Sequence, residues 1–229
     1  MSGLITSRDN ERLKLVRRLA SRREREKTGL FVCEGEDLVE AAQAAGVDPF
    51  DLLVAGVDVE KRLLADVSTL GHPPRVIGVF RRADLLVGPT QDTGLALWRV
   101  GDPGNVGALL RAADALGPAF VALSEGCADP TGPKALRASA GAIFRVPTCA
   151  FEESPRPWVA LVPRGGAPLA ELGPDGRATF VLGAEREGLP GEVLAECDER
   201  ATIPLSPTAE SLNVAMAGTI ALYEASRWS

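Results

Sequence analysis

The stretch GDPGNVGALLRAADALG (residues 101–117) decides how the second half of this chain is read. It follows the apolar run LALWRV (95–100), turns on glycines at 101, 104 and 107 with a proline at 103, and continues in a helical pattern. Val106, Leu109, Leu110 and Ala113 fall on one face of a helix expected over 106–116, and Arg111 lies almost opposite them. Asn105 stands where the N-cap is expected, its side chain accepting a backbone N–H. The glycine spacing is not that of a dinucleotide fingerprint, and no Lys-Ser/Thr pair follows to make a P-loop.

The same alternation continues downstream. AFVALSEG (119–126), WVALVP (158–163), TFVLGAE (179–185) and ATIPLSP (201–207) read as short apolar strands, and PKALRASAG (133–141) as a helix. LNVAMAGTIALYEASR (212–227) reads as a closing helix with Leu212, Met216, Ile220 and Tyr223 along one side. Apolar strands separated by helices imply a parallel sheet covered on both faces, with ligands at the carboxyl ends of its strands. Upstream, residues 9–24 read as one helix, LFVCEG (30–35), DLLVAGV (51–57) and PRVIGVF (74–80) as strands, and DLVEAAQAAG (37–46) as a helix, with a further short helix between the last two strands. These make a compact layered domain over residues 1–85, a linker of charged, Gly and Pro residues at 86–93, and a second α/β domain over 94–229.

Composition excludes several classes. The 45% hydrophobic and 24% charged content is ordinary for a globular chain. No apolar run is long enough to span a bilayer, and the N-terminus lacks a signal-peptide centre. Four scattered cysteines and a single histidine offer neither a zinc site nor a disulfide framework, so no metal is expected and a reducing cytoplasm is the simplest compartment. The net charge is −6, yet residues 1–30 hold nine basic and four acidic side chains, leaving −11 on the remainder. A basic arm on an acidic body can bind phosphates locally, although it also suits a solvated amphipathic helix.

Two later stretches carry chemistry. FVLGAEREGLP (180–190) ends a strand in a glycine-bracketed loop holding Glu185, and IPLSPTAESLNVAMAG (203–218) joins a strand to the last helix through Ser211, Leu212 and Asn213. Each alone also suits a solvated loop carboxylate or a plain N-cap at Ser211. Together and in this order, with DPGNVGALLRAADALG (102–117), they resemble the three motifs of the SpoU (TrmH-type) RNA ribose 2′-O-methyltransferases. PKALRASAGAIFRVP (133–147) is also similar to that family, and SRDNERLKLVRRLASRREREKTGLFVCEG (7–35) resembles the L30e-like substrate-binding domain of its ribosomal members.

The resemblance implies an α/β chain with a small L30e-like N-terminal domain and a C-terminal parallel-sheet domain tied in a trefoil knot, a rare exception to unknotted folds. It implies a homodimer that uses S-adenosylmethionine to methylate a ribose 2′-hydroxyl of RNA, with ribosomal (23S) RNA favoured over transfer RNA. Carried onto matching positions, Asn105, Arg111, Glu185, Ser211 and Asn213 are the catalytic cluster. Leu182, Gly183, Ile203, Leu205 and Leu212 hold the donor. Arg8, Lys14, Arg17, Arg18 and Arg22 are the candidate RNA phosphate contacts. In the family the residue matching Arg111 activates the hydroxyl or binds the adjacent phosphate; a guanidinium is a reluctant base, which favours the phosphate role. One departure concerns the donor loop, where Ser206-Pro207-Thr208-Ala209 replaces the glycine common before Glu-Ser-Leu-Asn. The rival readings are a transfer-RNA methyltransferase, a non-catalytic RNA-binding or assembly protein of the same fold, and a Rossmann-type oxidoreductase, the last disfavoured by the glycine spacing.

Overall fold

The apolar repeat that starts the first helix stops at Leu19, and so does the helix. In the computed structural model, which describes residues 3–173 and 177–228, the single helix expected over 9–24 is two: α1 (Glu11–Leu19) and α2 (Arg22–Thr28). Leu13, Val16 and Leu19 are buried, whereas the second segment, RREREKT, has no apolar residue to continue the stripe. Arg25 turns inward instead and donates to the carbonyls of Leu19 and Ala20 at 2.8 and 2.9 Å. That satisfies acceptors left open at the end of α1.

β1 (Leu30–Glu34), α3 (Glu36–Ala44), β2 (Asp51–Val54), α4 (Lys61–Val67) and β3 (Val76–Arg81) complete the N-terminal layer. Its three strands form an antiparallel sheet in the order β1-β3-β2. Alternation assigns the two faces. Val32, Ile77 and Val79 close over α1 and α4 in one apolar cluster, while Phe31, Cys33 and Phe80 point the other way. There Phe31, Phe80 and Phe144 meet with ring centroids 5.4–6.0 Å apart. The N-terminal sheet therefore shares a continuous core with the second half of the chain.

That half contains β4 (Thr93–Leu97), α5 (Pro103–Leu116), β5 (Phe120–Leu123), α6 (Pro133–Ser139), β6 (Thr148–Ala150), β7 (Trp158–Leu161), β8 (Ala167–Pro168), β9 (Ala178–Leu182), α7 (Gly191–Glu196), β10 (Glu199–Thr202) and α8 (Val214–Ala225). The seven strands form a parallel sheet in the order β6-β5-β4-β9-β7-β10-β8. Four of the five apolar strands expected from sequence are present; the fifth, expected over 201–207, is displaced to Glu199–Thr202 and shares only Ala201 and Thr202 with that stretch. The additions, β6 and β8, are too short to leave a periodic signal. One face carries Leu95, Leu97, Val121, Val159, Phe180 and Leu182 against α5 and α8. The other carries Ala96, Phe120, Ala122, Trp158 and Val181 against Phe151 and Val193.

Gly107 answers part of the glycine pattern. A Cβ there would stand 2.3 Å from the carbonyl oxygen of Ala135, so the residue lets α5 and α6 touch. It is a packing glycine, not part of a phosphate cradle. The two sheets are further tied by a buried ion cluster. Asp129 accepts from Arg25 at 2.8 Å and Arg82 at 2.7 Å, and its other oxygen accepts from the backbone and hydroxyl of Thr131. Burial pushes the Asp129 carboxyl up, but Thr131, the two arginines and the Thr131 backbone outweigh it, and it stays below the usual range. The connecting segment is also paired, with Thr148 N–H donating to Leu86 and Gly88 N–H to Thr148.

Candidate active site

Helix α5 begins earlier than the sequence pattern places it, and this corrects the role expected for Asn105. Pro103 occupies the first helical position, where its missing N–H is harmless and its fixed φ is helical. Asp102, not Asn105, is therefore the N-cap, accepting from Gly104 N–H at 2.6 Å. Lys134 lies against it at 3.0 Å and, together with Gly104 N–H, holds its carboxyl below the usual range. The Asn105 amide, relieved of capping, is free to work sideways. Its Nδ2 donates to Glu185 Oε1 at 3.0 Å and its Oδ1 accepts from Asn213 Nδ2 at 3.1 Å.

Those two bonds join the three motifs. Glu185, on the loop after β9, also accepts from Gly101 N–H at 3.4 Å and Asp102 N–H at 3.2 Å. Burial alone would raise its carboxyl pKa; the Asn105 amide and these backbone donors outweigh that and lower it. Asn213 is the N-cap of α8, its Oδ1 accepting from Ala215 N–H at 2.9 Å and Met216 N–H at 3.3 Å. Asn213 thus takes the capping position that Ser211 alone would suggest.

Beside this chain of bonds opens a cavity of about 670 Å³. Leu182, Gly183, Ile203, Leu205 and Leu212, the five residues expected to hold the donor, all line it, as do Glu185, Ser211 and Asn213. Gly183 is required: a Cβ would stand 2.2 Å from the Gly188 carbonyl carbon, because the loop folds back on itself there. The proline-bearing stretch stays compact through Ala209 N–H donating to Ser206, and the cavity wall comes from its first part, Ile203 and Leu205. Leu161, Val162 and Pro163 also line the cavity and were missed. The strand-end rule applied to WVALVP was the signal that points to them. Asp102 and Lys134 were missed too; the Asp-Pro pair ahead of the helix was the available sign.

Arg111 is not part of the bonded cluster. It lies six residues beyond Asn105 on α5, is exposed, has a side chain with no hydrogen-bonding partner among the described residues, and does not line the cavity. The basic arm is likewise far from bare charge. Arg8 pairs with Asp66 at 2.5 Å, Lys14 with Glu11 at 2.9 Å, Arg18 with Glu24 at 3.7 Å and Arg22 with Glu26 at 2.7 Å. Arg17 donates to the carbonyl of Arg8 at 2.8 Å. Exposed pairs of this kind contribute about 0–1 kcal/mol, so an incoming phosphate can displace the carboxylates. Among the described residues no cluster of His, Cys, Asp and Glu could hold a metal ion, and no helix is long and apolar enough to cross a membrane.

Residues 92–223 match the SpoU rRNA Methylase family, more than half of the chain. The chain belongs to that family. Residues 10–72 match the MRM3-like substrate binding domain. Among curated relatives, the SpoU chain is 31% identical to an uncharacterised tRNA/rRNA methyltransferase of Synechocystis sp., across 97% of this chain and 93% of that one. It is 29% identical to the 23S rRNA (guanosine(2553)-2′-O)-methyltransferase RlmP of Bacillus subtilis, across 96% and 97%. Among solved structures, the AdoMet-bound rRNA methyltransferase of Sinorhizobium meliloti superposes with a TM-score of 0.87 at 28% identity, covering 98% of this SpoU chain and 97% of its own. AviRb of Streptomyces viridochromogenes, also with AdoMet, gives 0.83 at 27% identity over 95% and 97%.

Proposed function

We propose that this SpoU chain transfers a methyl group from S-adenosylmethionine to a ribose 2′-hydroxyl of ribosomal RNA. The observation that carries the reading is the bonded chain Glu185–Asn105–Asn213, whose two ends line the cavity and which draws all three motifs to one point. The cavity fits the donor. Its volume of about 670 Å³ lies within the roughly 300–1,000 Å³ of cofactor pockets. Leu182, Ile203, Leu205 and Leu212 offer an apolar slot for an adenine, the loop backbone offers polar groups, and the Glu185 carboxylate suits a cationic sulfonium. Bound there, S-adenosylmethionine supplies an electrophilic methyl group.

The chain's own residues do the positioning. Glu185, ionised at neutral pH, fixes Asn105 and the first turn of α5; Asn105 and Asn213 then present their amides toward the reacting ribose, with Ser211 beside them. Alignment of this kind can supply up to about 7–11 kcal/mol of the barrier. No histidine stands in the cluster, and the Glu185 carboxylate is taken up by Asn105 Nδ2 and the N–H groups of Gly101 and Asp102. The 2′-hydroxyl proton would therefore leave to a phosphate oxygen or to water as the C–O bond forms, the methyl–sulfur bond breaking at the same time to release the neutral thioether. Arg111 clamps an RNA phosphate. Its place on the outer face of α5, clear of the donor cavity, supports that role over one as base.

The remaining assignments follow the same reading. Residues 1–85 present RNA through Arg8, Lys14, Arg17, Arg18 and Arg22, residues 86–93 connect, and 94–229 carry the chemistry. The strand order β9-β7-β10, in which the chain crosses β7 twice, supports a knotted thread. Met216 and Tyr223, 61% and 52% exposed along one side of α8, support a homodimer closed through that helix. The cytoplasm is the compartment that suits a ribosomal RNA substrate. The test is tritium transfer from labelled S-adenosylmethionine to ribosomal and, separately, transfer RNA from cells lacking this protein. Label recovered as a 2′-O-methylnucleoside in ribosomal RNA is expected; label in transfer RNA alone would overturn the substrate, and none in either would overturn the activity.

A further inference from the structure

Arg99 adopts a backbone conformation that side chains resist. Its φ is +51°, and among the described residues Ala140, which ends α6, is the other non-glycine with positive φ. Arg99 ends no helix. It stands just past β4, on the strand-end edge of the parallel sheet, two residues before the Gly101 N–H that holds Glu185. An L-residue in this region is disfavoured, and such strain persists where surroundings over-determine it, often at functional sites.

The surroundings here aim the side chain. Arg99 N–H donates to Ser124 Oγ at 2.9 Å. Gly126, whose own φ is +91°, packs beside the arginine stem: a Cβ on it would stand 3.2 Å from Arg99 Cγ. The guanidinium carbon lies 5.5 Å from the centre of the Trp98 ring, which is itself held edge-on by Phe151 at 5.2 Å. The head is exposed and forms no ion pair among the described residues, unlike Arg8, Lys14, Arg18 and Arg22 of the basic arm. It does not line the donor cavity.

We propose that Arg99 is a substrate contact: its guanidinium grips a backbone phosphate of the RNA strand beside the target ribose. The proposal rests on the RNA methyltransferase reading and adds a residue to it. A planar fork held over an indole loses little freedom on binding, and phosphate is the ligand it meets bidentately. A free, pre-aimed cation on the edge that holds Glu185 does what the paired cations of the arm do only after displacing a carboxylate.

The test compares Arg99→Gly and Arg99→Lys with the parent chain. Glycine relieves the positive φ and removes the cation; lysine keeps the charge and loses the fork. Unmodified 23S ribosomal RNA transcribed in vitro is titrated over a salt series, alongside AdoMet affinity, thermal midpoint and the KM and kcat of methyl transfer. For Arg99→Gly the expected result is a midpoint no lower than the parent's and unchanged AdoMet affinity. RNA Kd and KM should rise about tenfold at low salt, and the salt slope should shrink by about 0.7–0.9, the share of one phosphate. Arg99→Lys should restore the slope and part of the affinity. Parent-like RNA affinity and slope in Arg99→Gly would overturn the proposal, as would a lowered midpoint with lost AdoMet binding, which would make the residue structural. A parent chain that binds RNA yet transfers no methyl would sink the enzymatic reading while the binding series still decides Arg99. A parent chain that binds no RNA would overturn both.

Discussion

Asn213 does two jobs with one amide, and substitution can separate them. Its Oδ1 caps α8 through Ala215 and Met216 N–H, while its Nδ2 donates to Asn105. Losing such a cap costs about 1 kcal/mol, and the exposed side-chain bond adds roughly 0.5 kcal/mol. Asn213→Ala should therefore destabilise by about 1.5 kcal/mol, or a fall of roughly 3–6 °C in thermal midpoint for a chain this size. Asn213→Asp keeps an acceptor at the cap, and a carboxylate at a helix N-terminus gains about 0.3–1 kcal/mol, which offsets the lost bond. Its stability should match the parent within about 0.5 kcal/mol. Yet a carboxylate facing Asn105 Oδ1 turns that amide away from Glu185, so methyl transfer should fall at least about tenfold, equivalent to 1.4 kcal/mol of barrier. Urea unfolding and tritium transfer to ribosomal RNA read the two effects independently. Parent-level turnover in Asn213→Asp would refute the argument that the Asn105–Asn213 bond positions the site. Parent-level stability in Asn213→Ala would refute the capping term.

Four further outcomes are expected. Gly183→Ala should unseat the loop over the cavity, because the new methyl meets backbone at 2.2 Å; isothermal titration should show AdoMet binding lost, and retained affinity would contradict the geometry. Asp129→Ala should destabilise by about 3–5 kcal/mol, since it leaves the buried Arg25 without its carboxylate, and urea unfolding that moved by less than about 1 kcal/mol would show the cluster to be idle. Glu185 and Asp129 both have lowered carboxyl pKa values in the fold, so the folded chain binds fewer protons there than the unfolded one. Their contribution is complete above the unfolded carboxyl range of about 4 and is lost as pH falls through the folded values. The urea midpoint should hold from pH 8 to about 5 and drop below about 4; a decline already between pH 7 and 6 would be inconsistent with this. Finally, Arg111→Ala should abolish transfer while leaving AdoMet affinity unchanged, and normal turnover would remove Arg111 from the reaction.

The shared core bears on a simple dissection experiment. Phe31 and Phe80 pack on Phe144, and Arg25 and Arg82 close on Asp129. Removing residues 1–85 would expose that apolar face and strand the Asp129 carboxylate, so point substitutions in the basic arm are the cleaner probe of RNA presentation. Boundary composition suggested a connecting segment at 86–93, whose last residue, Thr93, already belongs to β4. It carried no information about whether the faces of the two sheets meet, because that depends on side chains more than 50 residues apart in the chain.

Much of the fold is local and so was legible in the residues alone. Apolar strands such as LALWRV and TFVLGAE are set by composition and short period, and helix α5 by Val106, Leu109, Leu110 and Ala113. The three motifs, in order, sufficed for the family. The sequence by itself could not say which polar residue caps a helix and which is left over for chemistry. Asp102 and Asn105 are both good caps, and the choice falls to Asp102 because Pro103 starts the helix and Lys134, from another helix, neutralises the carboxylate. Only the tertiary structure brought Glu185 to Asn105 and Asn105 to Asn213, across 80 and 108 residues of chain. It also left Arg111 outside that cluster and aimed Arg99, with its positive φ, along the same edge. Periodicity reports what a residue does to its own helix or strand; a site assembled from the ends of several strands is decided by how the sheet closes.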